Sequence, residues 1–111
     1  MARLRQDVDR YLQRCFSTEE TPRVSELAEQ LGVTREMLSR AFAAEEGIAL
    51  SAYLKQRQLA HAEHLLESSE LSTTRIAYLS GFGTRRTFYR AFRRGTGMSP
   101  DQYRRNSRRN S

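Results

Sequence analysis

Apolar residues recur every three to four positions along most of the chain, and this spacing is the period of an amphipathic α-helix. The first stripe falls within residues 3–16 and consists of Val8, Tyr11, Leu12, Cys15 and Phe16. No segment alternates apolar and polar residues with a period of two, which is the pattern of a half-buried strand. We therefore predict an all-α fold.

Hydroxyl residues mark where several of the later helices begin. Thr34, Ser72 and Thr84 each precede a helical pattern, and Ser25 is predicted to open a further short helix. A hydroxyl oxygen at such a position accepts an otherwise unpaired amide of the first helical turn. Between these segments, an uninterrupted pattern predicts one long helix over residues 51–66.

The last helix has a start signal of its own. Ser99 is predicted to cap it, Pro100 to occupy its first position and Gln102 to complete a capping box. With this helix, the pattern predicts seven helices in all. No apolar residue follows Tyr103, so we expect the end of the chain to fray.

One helical unit occurs twice, with its copies fifty positions apart. Each copy has a short helix, a turn that contains glycine, and a second helix, which is the arrangement of a helix-turn-helix motif. A seam of two apolar residues, Leu38 with Phe42 and Phe88 with Phe92, is predicted to hold each second helix against its short helix. The identical pairs are Thr34 and Thr84, Arg35 and Arg85, Arg40 and Arg90, Ala41 and Ala91, Phe42 and Phe92, Gly47 and Gly97, and Tyr53 and Tyr103.

The faces opposite these seams are predicted to point outward. The first outward face consists of Glu36, Ser39, Arg40 and Ala43. The second consists of Arg86, Tyr89, Arg90 and Arg93, with Arg85 beside it. The major groove of B-form DNA, about 12 Å wide, admits a helix that presents such a face.

Positive charge is concentrated in the last quarter of the chain. The formal net charge is +6, with residues 1–84 contributing −2 and residues 85–111 contributing +8. Arginine outnumbers lysine by eighteen to one, and its planar guanidinium suits bidentate contacts with phosphate and guanine. A merely solvated helix face usually mixes both signs of charge. The basic segment therefore predicts an acidic partner.

Catalytic and metal-binding patterns are missing from the sequence. His61 and His64 lie three positions apart without a third strong ligand nearby, and Cys15 has no cysteine partner. No serine lies in a nucleophile motif. We predict no catalytic residues, no metal and no cofactor, so an enzyme is the least favoured class. No apolar run approaches the roughly 20 residues of a membrane span, so we expect a cytoplasmic protein without a membrane partner.

The segment IAYLSGFGTRRTFYRAFRRGTGMSPDQYR closely resembles the signature of the AraC/XylS family of bacterial transcription regulators. The similarity extends over about residues 24–104 and is looser in the first copy. It implies helix-turn-helix subdomains over residues 1–50 and 68–105, a linker helix over 51–67 and a basic tail over 106–111. It also implies recognition helices over residues 35–45 and 85–94, which enter successive major-groove segments about 34 Å apart.

The resemblance also assigns individual contacts. Bases are expected to be read by Arg35, Glu36, Ser39 and Arg40 in the first helix and by Arg85, Arg86, Tyr89 and Arg90 in the second. Phosphates are expected to be bound by Thr34, Arg57, Thr84, Thr87, Arg93, Arg94 and Arg104. Three features depart from the family pattern: Gln58 replaces an arginine, Ala43 and Ala44 replace a commonly basic pair, and Gly83 lies in the second turn. We hypothesise that the second copy and the tail supply most of the phosphate affinity and that the first copy adds selectivity.

The predicted function is sequence-specific binding of double-stranded DNA in transcription regulation, with activation through RNA polymerase as the expected outcome. The alternative is a basic helical module that binds RNA or an acidic protein. The chain is either a stand-alone regulator or the DNA-binding part of a longer one with a separate ligand-sensing and dimerisation domain. We favour the longer regulator, because the first helix begins almost at Met1.

Overall fold

The computed structural model describes residues 3–109. Within this range the chain forms seven α-helices and no strand, which confirms the predicted all-α class. The helices are α1 (Arg3–Thr18), α2 (Val24–Leu31), α3 (Arg35–Glu46), α4 (Leu50–Ser68), α5 (Thr73–Leu79), α6 (Arg85–Thr96) and α7 (Pro100–Arg109). None of these helices is both long and apolar enough to cross a bilayer.

Four helices begin as the sequence predicts. The hydroxyl oxygens of Thr34, Ser72 and Thr84 each accept the amide three residues ahead at 3.1 Å. At α7 the capping box is complete: Ser99 Oγ accepts the Gln102 amide at 3.1 Å, and Gln102 Oε1 accepts the Ser99 amide at 3.0 Å. These bonds satisfy amides that the helix itself leaves unpaired.

The predicted cap of α2 is wrong. The helix begins at Val24, one residue before Ser25, and its cap position is Arg23, whose side chain makes no capping bond. Instead, the hydroxyl of Tyr11 on α1 accepts the Arg23 amide at 2.9 Å and donates to the Glu26 carboxylate at 2.6 Å. A side chain of α1 thus stabilises the start of α2.

The expected fraying beyond Tyr103 is also wrong as far as Arg109, where α7 ends. Arg108 lies 2.7 Å from the Glu70 carboxylate and also donates to the Ser69 carbonyl at 3.2 Å. The end of α4 therefore holds this helix by polar contacts, which need no apolar side chain. The rest of the predicted tail, residues 110–111, lies outside the described residues.

Two hydrophobic cores lie along the molecule, one for each helix-turn-helix motif. Aliphatic and aromatic side chains of α1, α2 and α3 form the first core, and those of α5 and α6 form the second. Helix α4 contributes Leu50 and Leu54 to the first core and Ala62 and Leu66 to the second. It is therefore a shared structural element rather than a simple spacer.

The two halves also contact each other directly beside α4. The side chain of Gln58 is buried, and its Nε2 donates to the carbonyls of Ser80 and Gly81 at 3.2 and 3.1 Å. Gly81 has a φ of +79°, and a Cβ atom there would lie 2.8 Å from Cδ of Pro22. Only glycine fits this turn against the loop after α1 without displacing it.

Two further contacts cross between the halves. Arg75 on α5 makes a bidentate ion pair with Glu19, which follows α1. The ring of His61 stacks on Phe16, with centroids 4.2 Å apart and planes inclined by 5°. We call these contacts, together with those of Gln58 and Gly81, the inter-motif contact. They restrict the motion of one motif relative to the other.

Candidate nucleic-acid interface

Helix α3 presents the face that the sequence predicts. Its seam residues Leu38 and Phe42 are buried, at 2% and 0% exposure. The four residues expected to read bases from this helix are all exposed: Arg35, Glu36, Ser39 and Arg40. Burial of the seam fixes the rotation of the helix, so the opposite face points to solvent.

Helix α6 is anchored in the same way, with Phe88 and Phe92 at 0% exposure. Phe88 packs edge-on against Phe92, with ring centroids 5.5 Å apart. Of the four residues expected to read bases from α6, Arg85, Arg86 and Arg90 are exposed and Tyr89 is half-buried. The structure thus brings three arginines to the outer surface of this helix.

Tyr89 is held by several neighbours. Its hydroxyl donates to the Asp101 carboxylate at 2.7 Å and lies 3.1 Å from Thr73 Oγ1. The guanidinium of Arg85 lies over the ring, 4.1 Å from its centroid, as in a cation–π contact. Tyr89 therefore positions Arg85, while the predicted base contacts of both residues remain predictions.

The arginines on the outer faces of α3 and α6 lack polar side-chain partners within the described residues. In this part of the chain Arg85 contacts only the Tyr89 ring. Six others form no hydrogen bond, ion pair or ring contact with another side chain among residues 3–109: Arg35, Arg40, Arg86, Arg90, Arg93 and Arg94. Elsewhere, Arg10, Arg57, Arg75 and Arg108 lie beside Asp7, Asp9, Glu19 and Glu70. Arg3, Arg23, Arg105 and Arg109 make no such pair within the described residues. Unpaired guanidinium groups on these two helix faces create a positive potential that attracts polyanions.

The threonines expected to bind phosphate lie at the starts of the two recognition helices. Thr34 and Thr84 are exposed, and each uses its oxygen as the helix cap. The hydroxyl of Thr84 also donates to Thr87 Oγ1 at 2.9 Å. That bond uses the proton of Thr84, so the proton of Thr87 remains available to another acceptor.

Two other residues expected to bind phosphate are engaged within the protein. Arg57 Nε lies 3.8 Å from the Asp9 carboxylate. Arg104 donates from Nε to the Leu66 carbonyl and from a terminal nitrogen to the Ser69 carbonyl, both at 3.2 Å. Arg104 therefore satisfies carbonyls at the end of α4. The phosphate contacts of both arginines remain predictions.

Lys55 is a residue that the sequence analysis missed. It is exposed on α4 and lines a groove with Arg90 and Arg94 of α6. Leu59, four residues later on α4, lines the same groove. Because residues four apart share a helix face, the apolar Leu59 could have placed Lys55 at the edge of the packed face of α4.

The histidine pair on α4 lies away from this interface. Burial lowers the pKa of His61, and the positive charges of His64 and Arg57 lower it further. Among residues 3–109, no three His, Cys, Asp or Glu side chains are grouped so that they could hold a metal ion. In this structure His61 packs against Phe16 as an aromatic ring.

Comparison with known proteins gives the family. A family model described as a helix-turn-helix domain matches residues 27–106. The chain is 37% identical over 82 residues to the HTH-type transcriptional regulator Rv1931c of Mycobacterium tuberculosis and 32% identical over 85 residues to the HTH-type transcriptional activator RhaR of Enterobacter sp. strain 638. The chain belongs to the AraC/XylS family of DNA-binding transcription regulators.

The alignments cover 74% and 77% of this AraC/XylS-family chain but only 32% and 30% of the two relatives. The chain thus spans about a third of the length of the curated relatives it matches.

Solved structures share the arrangement of this AraC/XylS-family domain. The DNA-binding domain of AdpA, crystallised with a target DNA, superposes with a TM-score of 0.85 at 29% identity, covering 96% of this chain and 94% of that one. The C-terminal domain of AraT, a response regulator from Geobacillus stearothermophilus, gives 0.79 at 34% identity, covering 94% and 88%. The fold and its two motifs are therefore those of the family.

Proposed function

We propose that this chain binds a specific double-stranded DNA sequence by placing α3 and α6 in two successive major-groove segments. The observation that supports this most directly is the pair of outer faces on α3 and α6. Each is fixed by a buried apolar seam, and together they carry six arginines that have no partner among residues 3–109. The likeness to a domain crystallised on its target DNA adds support.

The two helices are proposed to contribute unequally. Helix α6 carries four of the six unpaired arginines and no acidic residue, whereas α3 carries Glu36, Glu45 and Glu46. Contacts with phosphate are independent of sequence, and contacts with base edges discriminate. Helix α6 therefore supplies most of the phosphate affinity, and α3 mainly adds selectivity.

In transcription, the chain is proposed to act with further parts of a longer regulator. RhaR, one of the relatives, is a transcriptional activator, and activation through contact with RNA polymerase is the proposed outcome here. A separate ligand-sensing and dimerisation domain and a cytoplasmic location belong to the same proposal. The family consists of DNA-binding regulators rather than enzymes, and the proposed role requires no catalysis.

Selection of bound duplexes from a random pool tests the proposal. We expect a preferred duplex of about 20 bp, with two half-sites whose centres are about 10 bp apart. Its affinity should exceed that for random DNA by about a thousandfold or more. Double-stranded RNA of the same sequence is the control, because side chains do not reach the bases in its deep, narrow major groove. Equal binding to all duplexes, or stronger binding to RNA, would overturn the proposal in favour of a non-specific basic module.

A further inference from the structure

A groove of about 320 Å³ lies between α4 and α6. Its base is apolar: Leu59 of α4 meets α6 at Gly95, where a Cβ atom would lie 2.6 Å from Leu59 Cδ1. Its rim carries three cationic side chains, Lys55 from α4 and Arg90 and Arg94 from α6. The close helix contact at Gly95 brings these cations from two helices to one opening.

A second groove, of about 260 Å³, continues from the first. The two share Lys55 and Thr87, and the second extends to Ser51 at the start of α4 and to Thr21 in the loop after α1. None of the residues that line either groove is acidic. The connected surface therefore offers ammonium, guanidinium and hydroxyl donors without a carboxylate to neutralise them.

Two donors of this surface are unused by the protein. Lys55, the one lysine of the chain, makes no ion pair or hydrogen bond within the part of the chain that the structure describes. The Thr87 hydroxyl accepts a hydrogen bond from Thr84, so its own O–H can donate to another acceptor. An ammonium group beside a hydroxyl donor suits a phosphate oxygen, which is charged and accepts several hydrogen bonds.

We infer that Lys55, with Thr87 and Arg94, binds a backbone phosphate of the DNA strand that borders α6 on its α4 side. The inference rests on the proposed DNA binding. Arg90 belongs both to the outer face of α6 and to the rim of the groove. A helix in the major groove has a sugar–phosphate backbone on each side, so DNA read by Arg90 brings one backbone to the groove.

The substitution Lys55→Gln tests this contact on the selected duplex. We expect affinity to fall by about fivefold on specific and random duplexes alike, as for the loss of one exposed charge pair. The plot of log affinity against log salt concentration should become less steep by about 0.9. Lys55→Arg should retain most of the affinity. Arg10→Gln is the matched control, since it removes one exposed charge from α1 outside both grooves.

Duplexes in which one phosphate is replaced by a neutral methylphosphonate identify the phosphate that Lys55 binds. One position should weaken the wild type about as much as Lys55→Gln does and should weaken the variant no further. A salt dependence like that of Arg10→Gln, or additive losses at every position beside α6, would overturn the inference. The inference would also be overturned if inorganic phosphate stabilised the wild type but not Lys55→Gln while the two proteins bound DNA equally well. Absence of any duplex preference in the wild type would instead defeat the proposed function.

Discussion

Arg40 and Arg90 occupy equivalent positions in the repeated unit, and both guanidinium groups are exposed without a partner among residues 3–109. We expect Arg40→Ala and Arg90→Ala each to weaken binding to the selected duplex by about 1–3 kcal/mol and to relax preference at one base pair. Affinities for a set of single-base variants of the duplex measure this. If Arg40→Ala weakens all duplexes equally, its contact is with phosphate rather than with a base.

His61 predicts how stability depends on pH. Its pKa in the folded protein is lowered, chiefly by burial, so below the unfolded value of about 6.5 the unfolded chain binds more protons. The stability that His61 contributes is therefore present above about pH 6.5 and lost as the pH falls. We expect Tm to drop between about pH 7.5 and pH 5.5, and to drop less in His61→Phe, which keeps the stack on Phe16. Thermal unfolding followed by circular dichroism gives both values. If Tm drops equally in the wild type and in His61→Phe, other groups cause the pH dependence.

Helix ends show how far local sequence determines an element. Thr34, Ser72 and Thr84 were predicted as caps from neighbouring residues alone, and their bonds reach only three positions ahead. The start of α2 depends on Tyr11, twelve positions before Arg23. The end of α7 depends on α4, nearly forty positions earlier. Contacts with residues that are distant in the sequence leave no pattern in the segment that they stabilise, so the segment alone does not predict them.

Substitution of Arg104 distinguishes a structural role within the protein from a role in DNA binding. Arg104 donates to the carbonyls of Leu66 and Ser69. Removing the guanidinium takes the side-chain donor from the Leu66 carbonyl, whereas Arg108 still donates to the Ser69 carbonyl. We expect Arg104→Met to lower the free energy of unfolding by about 1–3 kcal/mol, and the predicted phosphate contact would in addition make the salt dependence of DNA binding less steep. Chemical denaturation and binding titrations measure the two effects. The exposed neighbour Arg105 provides the control variant Arg105→Met. A less steep salt dependence in Arg104→Met alone supports the phosphate contact, and equal salt dependence in both variants contradicts it.

The charge of α6 gives a prediction for the whole element. Arg93 and Arg94 are exposed, unpaired within the described chain, and lie in its last turn. If about six phosphates are neutralised, log affinity should fall with log salt at a slope of about −5. We expect Arg93→Ala with Arg94→Ala to flatten this slope by about 2 and to weaken binding on all sequences alike. The control changes Ala43 and Ala44 of α3 to arginine, which should steepen it. If the slope is unchanged in the Arg93→Ala and Arg94→Ala variant, this would contradict the proposal that α6 supplies most of the phosphate affinity.

At the scale of the molecule, the inter-motif contact predicts a fixed spacing between half-sites. Glu19→Gln with Gln58→Leu removes the ion pair with Arg75 and the bonds to the turn at Gly81. We expect the wild type to lose affinity steeply when one or two base pairs are inserted between half-sites, and the variant to lose about threefold less per insertion. Binding to a series of spaced duplexes measures this.

A variant of similar surface chemistry controls for general loss of stability. Glu70→Gln removes an ion pair with Arg108 that lies wholly within the second half, so it should keep the spacing preference of the wild type. Thermal unfolding of both variants shows how much each is destabilised. If the Glu19→Gln and Gln58→Leu variant keeps the same spacing preference despite lower stability, α4 alone sets the distance between the motifs.

The sequence predicted the repeat, its seams and the exposed faces, because these depend on residues three and four positions apart. It did not predict which arginines are paired. Arg57 and Arg104 resemble Arg40 and Arg90 in the sequence, and only the folded chain shows that they lie beside Asp9 and the carbonyls of α4. It also did not predict the neighbours of Lys55, because they belong to a helix thirty positions later. Pairing across the molecule is a property of the tertiary structure.

The inequality of α3 and α6 within one rigidly joined chain has a consequence for promoter architecture. A symmetric dimer reads an inverted repeat identically from either end. In the proposed binding mode, α3, with few charges, precedes the strongly basic α6, so the bound domain would have a defined direction along the duplex. Inverting the binding site would reverse the orientation of the bound domain, so that α1 and α7 would exchange their order along the duplex. Orientation of the operator, as well as its distance from the start site, should then determine which surface faces the transcription machinery.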